Sequence, residues 1–233
     1  MNSIYLIDYY SNLGKSSIHK LTIISKVIFF FCILFSIILS KTFSHLFFIL
    51  FLIIFLIVLA QLPFLKILKW SLYPTFFAFL FAVSQINYGL LPFQTMLRAL
   101  NAALLMLFMI CTTPYPTLFN LIGRLSPFLA SVFFMTYRYF FLIISEIQTK
   151  IKLMRIRGGY AGGIFMILKN LGQVIGHILI HFVEKSERLY NLMLIRGYRG
   201  KMFSKISYQF RILDLLFVMA GILIFLSLFY GKI

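Results

Sequence analysis

The chain has 233 residues, 62% of them hydrophobic and 12% charged, with 29 phenylalanines. That excludes a soluble domain, which is nearer half apolar and a quarter charged, and marks an integral membrane protein. The formal net charge is +17; nucleic-acid binding is one reading of such a surplus, but where the charge lies matters more than its sum. Cys32 and Cys111 stand alone inside apolar runs, so neither a disulfide framework nor a cysteine-type metal pattern is present.

Five spans are predicted in chain order: residues 21–40 with Lys26 near one end, 43–62, 72–91 with Pro74 near its start, 94–113, and 212–230. Each is near the ~20 residues that cross a hydrocarbon core. Lipid offers the backbone no hydrogen-bond partners, so the spans are helices. The first apolar run is too long for the core of a signal peptide, and others follow it.

Residues 124–211 are different. Fourteen Lys/Arg stand there against Glu146, Glu184 and Glu187, a net +11. Basic segments flanking spans stay cytoplasmic. Lys15, Lys20, Lys66 and Lys69 agree with that side, the uncharged stretch 84–94 suits an outside loop, and Lys41 is a minor exception. The expected N-terminus is inside and the C-terminus outside. The expected division is 1–113 with four spans, 114–211 as a cytoplasmic helical region, and 212–233 with the last span.

Within the basic region the pattern is helical. Ile147, Ile151 and Met154 recur at i, i+4, i+7 between Lys150, Lys152 and Arg155. Val174, Ile175, Ile178, Leu179, Phe182 and Val183 form a second stripe. Pro114, Pro116 and Pro127 bracket a short helix at about residues 117–125, and Gly158, Gly159, Gly162 and Gly163 separate two longer ones. Gly172 and Gly176 are spaced to let a crossing helix approach closely. The region reads as three amphipathic helices at the cytoplasmic face. A spanning reading of residues 128–145 would place Arg138 in mid-membrane, at a cost of roughly 2.5–3.5 kcal/mol.

One phrase occurs twice, "LMRIRG" from Leu153 and "LMLIRG" from Leu192. Gly158 and Gly197 sit where a left-handed residue stops a helix, and Arg157 and Arg196 fall in the last turn, where a cation favours the dipole. An Arg-Gly ending is ordinary. Two matching endings also suggest two matching sockets, and the planar fork of Arg suits a deep socket lined by carbonyls or carboxylates.

Other groups carry less. "GKSS" at residues 14–17 lacks the first glycine of a P-loop, where Tyr9 stands, and no strand precedes it. His177 and His181, with Glu184 one turn on, have a spacing that can hold a metal, but without a His-Glu-x-x-His arrangement they read as packed or interfacial histidines. Arg98 and Asn101 share one face of the fourth span and read as snorkelling or helix packing. Glu146, Glu184, Glu187 and Arg188 read as i, i+4 pairs or bridges between helices. No catalytic residue, metal site or cofactor is assigned. A membrane-embedded enzyme is the rival class, with only His177, His181 and Glu184 to offer.

Four stretches carry a resemblance: "SSIHKLTIISK", "TTPYPTLFNLIGRLSP", "MTYRYFFLIISEIQTKIKLMRIRGG" and "SERLYNLMLIRGYRG". In this order and spacing the chain resembles the transmembrane (T) component of energy-coupling factor transporters, close to the cobalt/nickel-type CbiQ branch. The resemblance covers most of the chain. It implies an all-α membrane protein whose two long cytoplasmic coupling helices each end in an Ala-Arg-Gly-type motif docked on one of two ATPase subunits. Carried over, Arg157 with Gly158 and Arg196 with Gly197 are those endings, and Arg199 adds a contact at the second. It further implies a separate membrane-embedded substrate-binding (S) component, for which the aromatic run Phe133, Phe134, Tyr137, Arg138, Tyr139, Phe140 and Phe141 is the expected contact. The setting implied is a prokaryotic cell membrane, the substrate a cobalt or nickel ion or a vitamin. Two departures stand out. Ile156 and Ile195 replace the usual alanine, and Thr22-Ile23-Ile24 replaces an Asp-Pro-Arg ahead of Lys26.

Overall fold

The computed structural model describes residues 2–14, 16–40, 42–85, 89–198 and 211–230, and among them every regular element is an α-helix. In chain order these are α1 (Asn2–Leu13), α2 (Ile23–Leu39), α3 (Phe43–Leu59), α4 (Phe64–Val83), α5 (Leu91–Thr112), α6 (Tyr115–Leu125), α7 (Pro127–Ile156), α8 (Ile164–Ile195) and α9 (Ile212–Tyr230). Two compact units divide the chain, one made of Met1–Leu121 with Ile206–Ile233, the other of Ile122–Lys205.

The first unit is built of helices that are apolar all round, which suits lipid on one side and protein on the other. In α3 the inward face is Leu46, Ile49, Ile53 and Ile57, all 0% exposed, while Phe47, Phe48, Phe51 and Phe55 are 55–72% exposed. Lipid tails are as apolar as leucine, so the isoleucine face is selected by close packing rather than by escape from the surroundings. Helix α9 lies along α2, and α5 lies along α4 while touching α1, α2 and α3 as well. Phe29 and Phe217 stack with ring centroids 4.0 Å apart, and a Cβ on Gly221 would sit 3.0 Å from the Phe29 ring. That glycine is what lets α9 approach α2 so closely.

Buried polar side chains knit the helices. Asn101, fully buried on α5, donates to the Leu46 carbonyl of α3 at 3.0 Å, and Arg98 donates to the Ser40 carbonyl at the end of α2. Ser36 and His45 bridge α2 and α3 at 2.8 Å. Arg98 and Asn101 therefore serve helix packing rather than snorkelling.

The spans depart from expectation at their edges. Helix α4 begins at Phe64, not residue 72, so Lys66 and Lys69 lie in its first turns and Pro74 in its interior. Helix α1 was not foreseen. By length and apolarity, α4, α5, α7 and α8 suffice to cross a membrane, and α2, α3 and α9 are shorter apolar helices. The chain is an all-α, multi-pass membrane protein.

The second unit is dominated by α7, 30 residues, and α8, 32 residues. They run antiparallel: Glu146 of α7 meets His181 at 3.2 Å and Lys185 at 3.9 Å, while residues near the start of α7 face those near the end of α8 across a groove of about 870 Å³. Only Ala130, Ser131, Ile144 and Met154 of α7, and Ile178 of α8, are buried. Ile175, Leu179 and Val183 are 56–61% exposed. Nothing lies within 4 Å of a Cβ built on Gly172 or Gly176. The close helix crossing expected at those glycines is absent among the described residues.

Candidate functional site

The repeated phrase folds the same way twice. Gly158 has φ +71° and Gly197 φ +79°, and the arginines before them have φ/ψ of −80°/11° and −83°/8°. At the first end the Gly159 N–H donates to the Met154 carbonyl at 2.9 Å and the Gly158 N–H to that of Arg155 at 3.2 Å. At the second, the Tyr198 N–H donates to the Met193 carbonyl at 2.9 Å and the Gly197 N–H to that of Leu194 at 3.0 Å. Both are Schellman endings, with glycine at the left-handed position and arginine as the C-cap. Since no atom crowds either glycine Cβ position, the requirement for glycine is the backbone angle alone.

What the endings present is also alike. Ile156 is 72% exposed and Ile195 82%, and the two arginines and their glycines are exposed beside them. Neither arginine takes part in an ion pair among the described residues. Each ending offers a bare aliphatic side chain followed by a guanidinium whose fork is open to a partner. Because α7 and α8 are antiparallel, the two endings lie at opposite ends of the pair, on the order of 40 Å apart along the helices when counted from the Glu146–His181 contact. The first ending is braced further: Asn170 of α8 donates to the Gly159 carbonyl at 3.1 Å, and Arg155 lies 5.9 Å from the centre of the Tyr160 ring. Arg199 lies outside the described residues.

The aromatic run spreads around α7, with Phe140 and Phe141 in edge-to-face contact at 5.5 Å. Tyr137 and Phe141 meet edge to face at 5.3 Å on α7, whereas Tyr139 and Phe140 line the groove with Tyr190 and Met193 of α8 and Tyr198 beyond its end. Phe133 is 40% exposed and Arg138 is exposed, while Phe134 is partly buried. Consecutive residues on a helix point about 100° apart, so a contiguous run cannot share one face.

Of the remaining sequence candidates, His177, Glu184, Glu187 and Arg188 are exposed on α8, and the expected bridges involve Glu146 alone of the acids among the described residues. His181 belongs to the bridge with Glu146 and Lys185, so it ties α7 to α8. No group of three or more His, Cys, Asp or Glu side chains arranged to hold a metal occurs among the described residues. At residues 14–17 a Cβ on Gly14 would lie 2.1 Å from the His19 ring, and Ser16 Oγ is 2.6 Å from His19 Nδ1. The stretch is a turn wrapped on its own histidine; Lys15 lies outside the described residues. Burial first, and then the positive charge of Lys26, hold His19 below its usual range.

Sequence reasoning missed Asp214. It is 1% exposed at the start of α9 and caps two helices at once. One oxygen accepts from the Thr22 N–H at 2.7 Å and from Thr22 Oγ1 at 3.1 Å; the other accepts from the Arg211 N–H at 2.9 Å. The signal was available. An ionisable residue inside an apolar span is a functional candidate by default, and Asp214 is the one acid of its span. It also explains the turn ahead of Lys26: Thr22 stands at the N-cap position of α2 and is held there by an acid 192 residues away.

A family model described as cobalt transport protein, CbiQ, matches residues 14–208. An uncharacterized protein of Methanocaldococcus jannaschii is 32% identical over 118 residues, a stretch covering 50% of this chain and 42% of that relative. The chain thus spans less than half the length of that relative. With helices of this kind and a family match over most of its length, the protein is a multi-pass membrane protein of a transport protein family. It belongs to the CbiQ cobalt transport protein family.

Proposed function

We propose that the chain is the transmembrane scaffold of an energy-coupling factor importer. In this reading it binds two ATP-binding cassette ATPases through the α7 and α8 endings and passes their movement to a separate substrate-binding membrane subunit. The observation that carries the reading is the pair of superimposable Ile-Arg-Gly endings, exposed at opposite ends of one antiparallel pair. Two equal plugs suit two equal sockets on a pair of homologous ATPases. An arginine fork with a preset backbone loses little freedom on docking.

The reading assigns α2–α5 and α9 to the membrane and α6–α8 to its cytoplasmic face, with the N-terminus inside. Charge supports this where length does not. Helix α7 carries Arg138, Glu146, Lys150, Lys152 and Arg155, and α8 carries Lys169, Glu184, Lys185, Glu187 and Arg188, whereas α3 has no charged residue. The substrate class we favour is a transition-metal ion, cobalt or nickel, with a vitamin as the other class such importers take.

Purification from the native membrane tests the assignment. The tagged chain should bring down two ATP-binding cassette subunits and one further small membrane protein, and hydrolyse ATP only in their company. Robust hydrolysis by the isolated chain, free of contaminants, would remove the scaffold reading.

A further inference from the structure

Three helix ends of the first unit converge on two buried charges. Lys26 is 3% exposed, and its Nζ donates to the Thr112 carbonyl at 2.7 Å and lies 3.5 Å from that of His19. Thr112 is the last residue of α5. Asp214 meets the starts of α2 and α9 through the bonds already described, and Ser25 Oγ joins Thr22 Oγ1 at 2.7 Å. Each charge has the sign its helix end prefers, a cation at the carboxyl end of α5 and an anion at the amino ends of α2 and α9.

The place of these bonds in the chain gives them a second meaning. Helix α5 ends at Thr112, ahead of the passage to the second unit after Leu121, and α9 begins at Ile212 in the stretch of the first unit that follows the second. The end of α5, the last helix lying wholly before that passage, is held by Lys26 and the start of α9 by Asp214, both fastened to the start of α2. An apolar contact would hold these helices together about as well, since a buried ionic group seldom adds net stability. A carboxylate whose two oxygens serve two different helix starts does something else: it fixes their register.

We propose that Lys26 and Asp214 are positioning residues that lock the end of α5 and the starts of α2 and α9 into one rigid root. Through this root, displacement of α7 and α8 reaches the membrane helices. The inference rests on the scaffold reading, because it assigns the point at which that scaffold transmits motion. If the root is loosened, the ATPases still bind and still hydrolyse ATP, but the end of α5 and the start of α9 follow the motion separately, and hydrolysis is no longer converted into uptake.

The test uses the whole transporter, the chain with its ATPases and substrate-binding subunit, reconstituted in phospholipid vesicles. Uptake and ATP hydrolysis are measured together for wild type, Asp214→Asn and Lys26→Met. The expected result is full assembly, near-normal hydrolysis, and uptake per ATP lower by on the order of tenfold, the change that follows loss of one charge-assisted hydrogen bond. Thr22→Val is a milder variant in case either fails to fold: it removes the hydroxyl bond and keeps the backbone bond to Asp214, and it should lower the same ratio by less. Uptake and hydrolysis falling in parallel with the amount of folded complex would overturn the proposal and leave the two charges as stabilising contacts alone. A wild-type complex without ATP-driven uptake would instead bring down the scaffold reading, and coupling unchanged in all three variants would bring down only the root.

Discussion

Four glycines of the second unit set up an experiment on what the repeated endings are for. Gly158, Gly197, Gly172 and Gly176 all have open space where a Cβ would go, but only Gly158 and Gly197 have positive φ. An alanine in the left-handed region costs roughly 1–2 kcal/mol. In a helix interior, alanine is instead favoured over glycine by about 0.8–1.0 kcal/mol. Gly158→Ala and Gly197→Ala should therefore fray their helix ends, and Gly172→Ala and Gly176→Ala should stiffen α8. Hydrogen exchange read by mass spectrometry locates the effect. The amides of Gly159 and Tyr198, donors in the two endings, should exchange about five- to thirtyfold faster in the respective variants. Amides of mid-α8 should slow in the other two. If docking uses the endings, Gly158→Ala and Gly197→Ala also lower ATPase affinity, because the arginine is no longer aimed by a fixed backbone. A loss of stability in Gly172→Ala or Gly176→Ala would refute the reasoning, since it would mean that another helix packs on that face after all.

Three further outcomes follow from the same structure. In a chain freed of Cys32 and Cys111, a cysteine at Gln173 should resist membrane-impermeant labelling in intact cells; labelling from outside would overturn the topology. His177→Ala combined with His181→Ala should leave uptake near normal and cost at most about 1 kcal/mol of stability, because the bridge to Glu146 is partly exposed; a large loss of uptake in an assembled complex would restore a metal or catalytic role. His19 is held below its ordinary value of about 6.5, so the unfolded chain takes up its proton first. That contribution to stability is complete above pH 6.5 and declines as pH falls from there towards the folded value. His19→Gln should flatten this part of a thermal-stability profile, and an unchanged slope would count against the burial of that ring.

The sequence disclosed features written locally and concealed those written at a distance. The two endings were legible because Arg157-Gly158 and Arg196-Gly197 carry the whole stop signal in a few residues. The bridging role of Glu146 was legible as a class, but its partners His181 and Lys185 were not, since they depend on how α7 and α8 pair. The start of α4 was placed late because Lys66 and Lys69 lower the local hydropathy without ending the helix. The aromatic run from Phe133 to Phe141 was legible as composition, but which of its rings enter the groove depends on how α7 and α8 pair. Asp214 was passed over although it is the one acid of its span; what no local pattern announces is its bond to Thr22, 192 residues away.

The composition of the purified complex tests the central claim most directly. Arg157→Glu, Arg196→Glu and the double variant are compared with wild type by native mass measurement and uptake. Removing a charge-assisted bond costs roughly 1.5–3 kcal/mol and an anion is added to the socket, whereas loss of a favourable charge at a helix end costs about 1 kcal/mol or less. The account predicts two ATPases bound to wild type, weaker binding and impaired uptake in each single variant, and release of both ATPases in the double variant with the chain still folded. A double variant that retains both ATPases and transports normally would contradict the account and leave the repeated phrase as two ordinary helix endings.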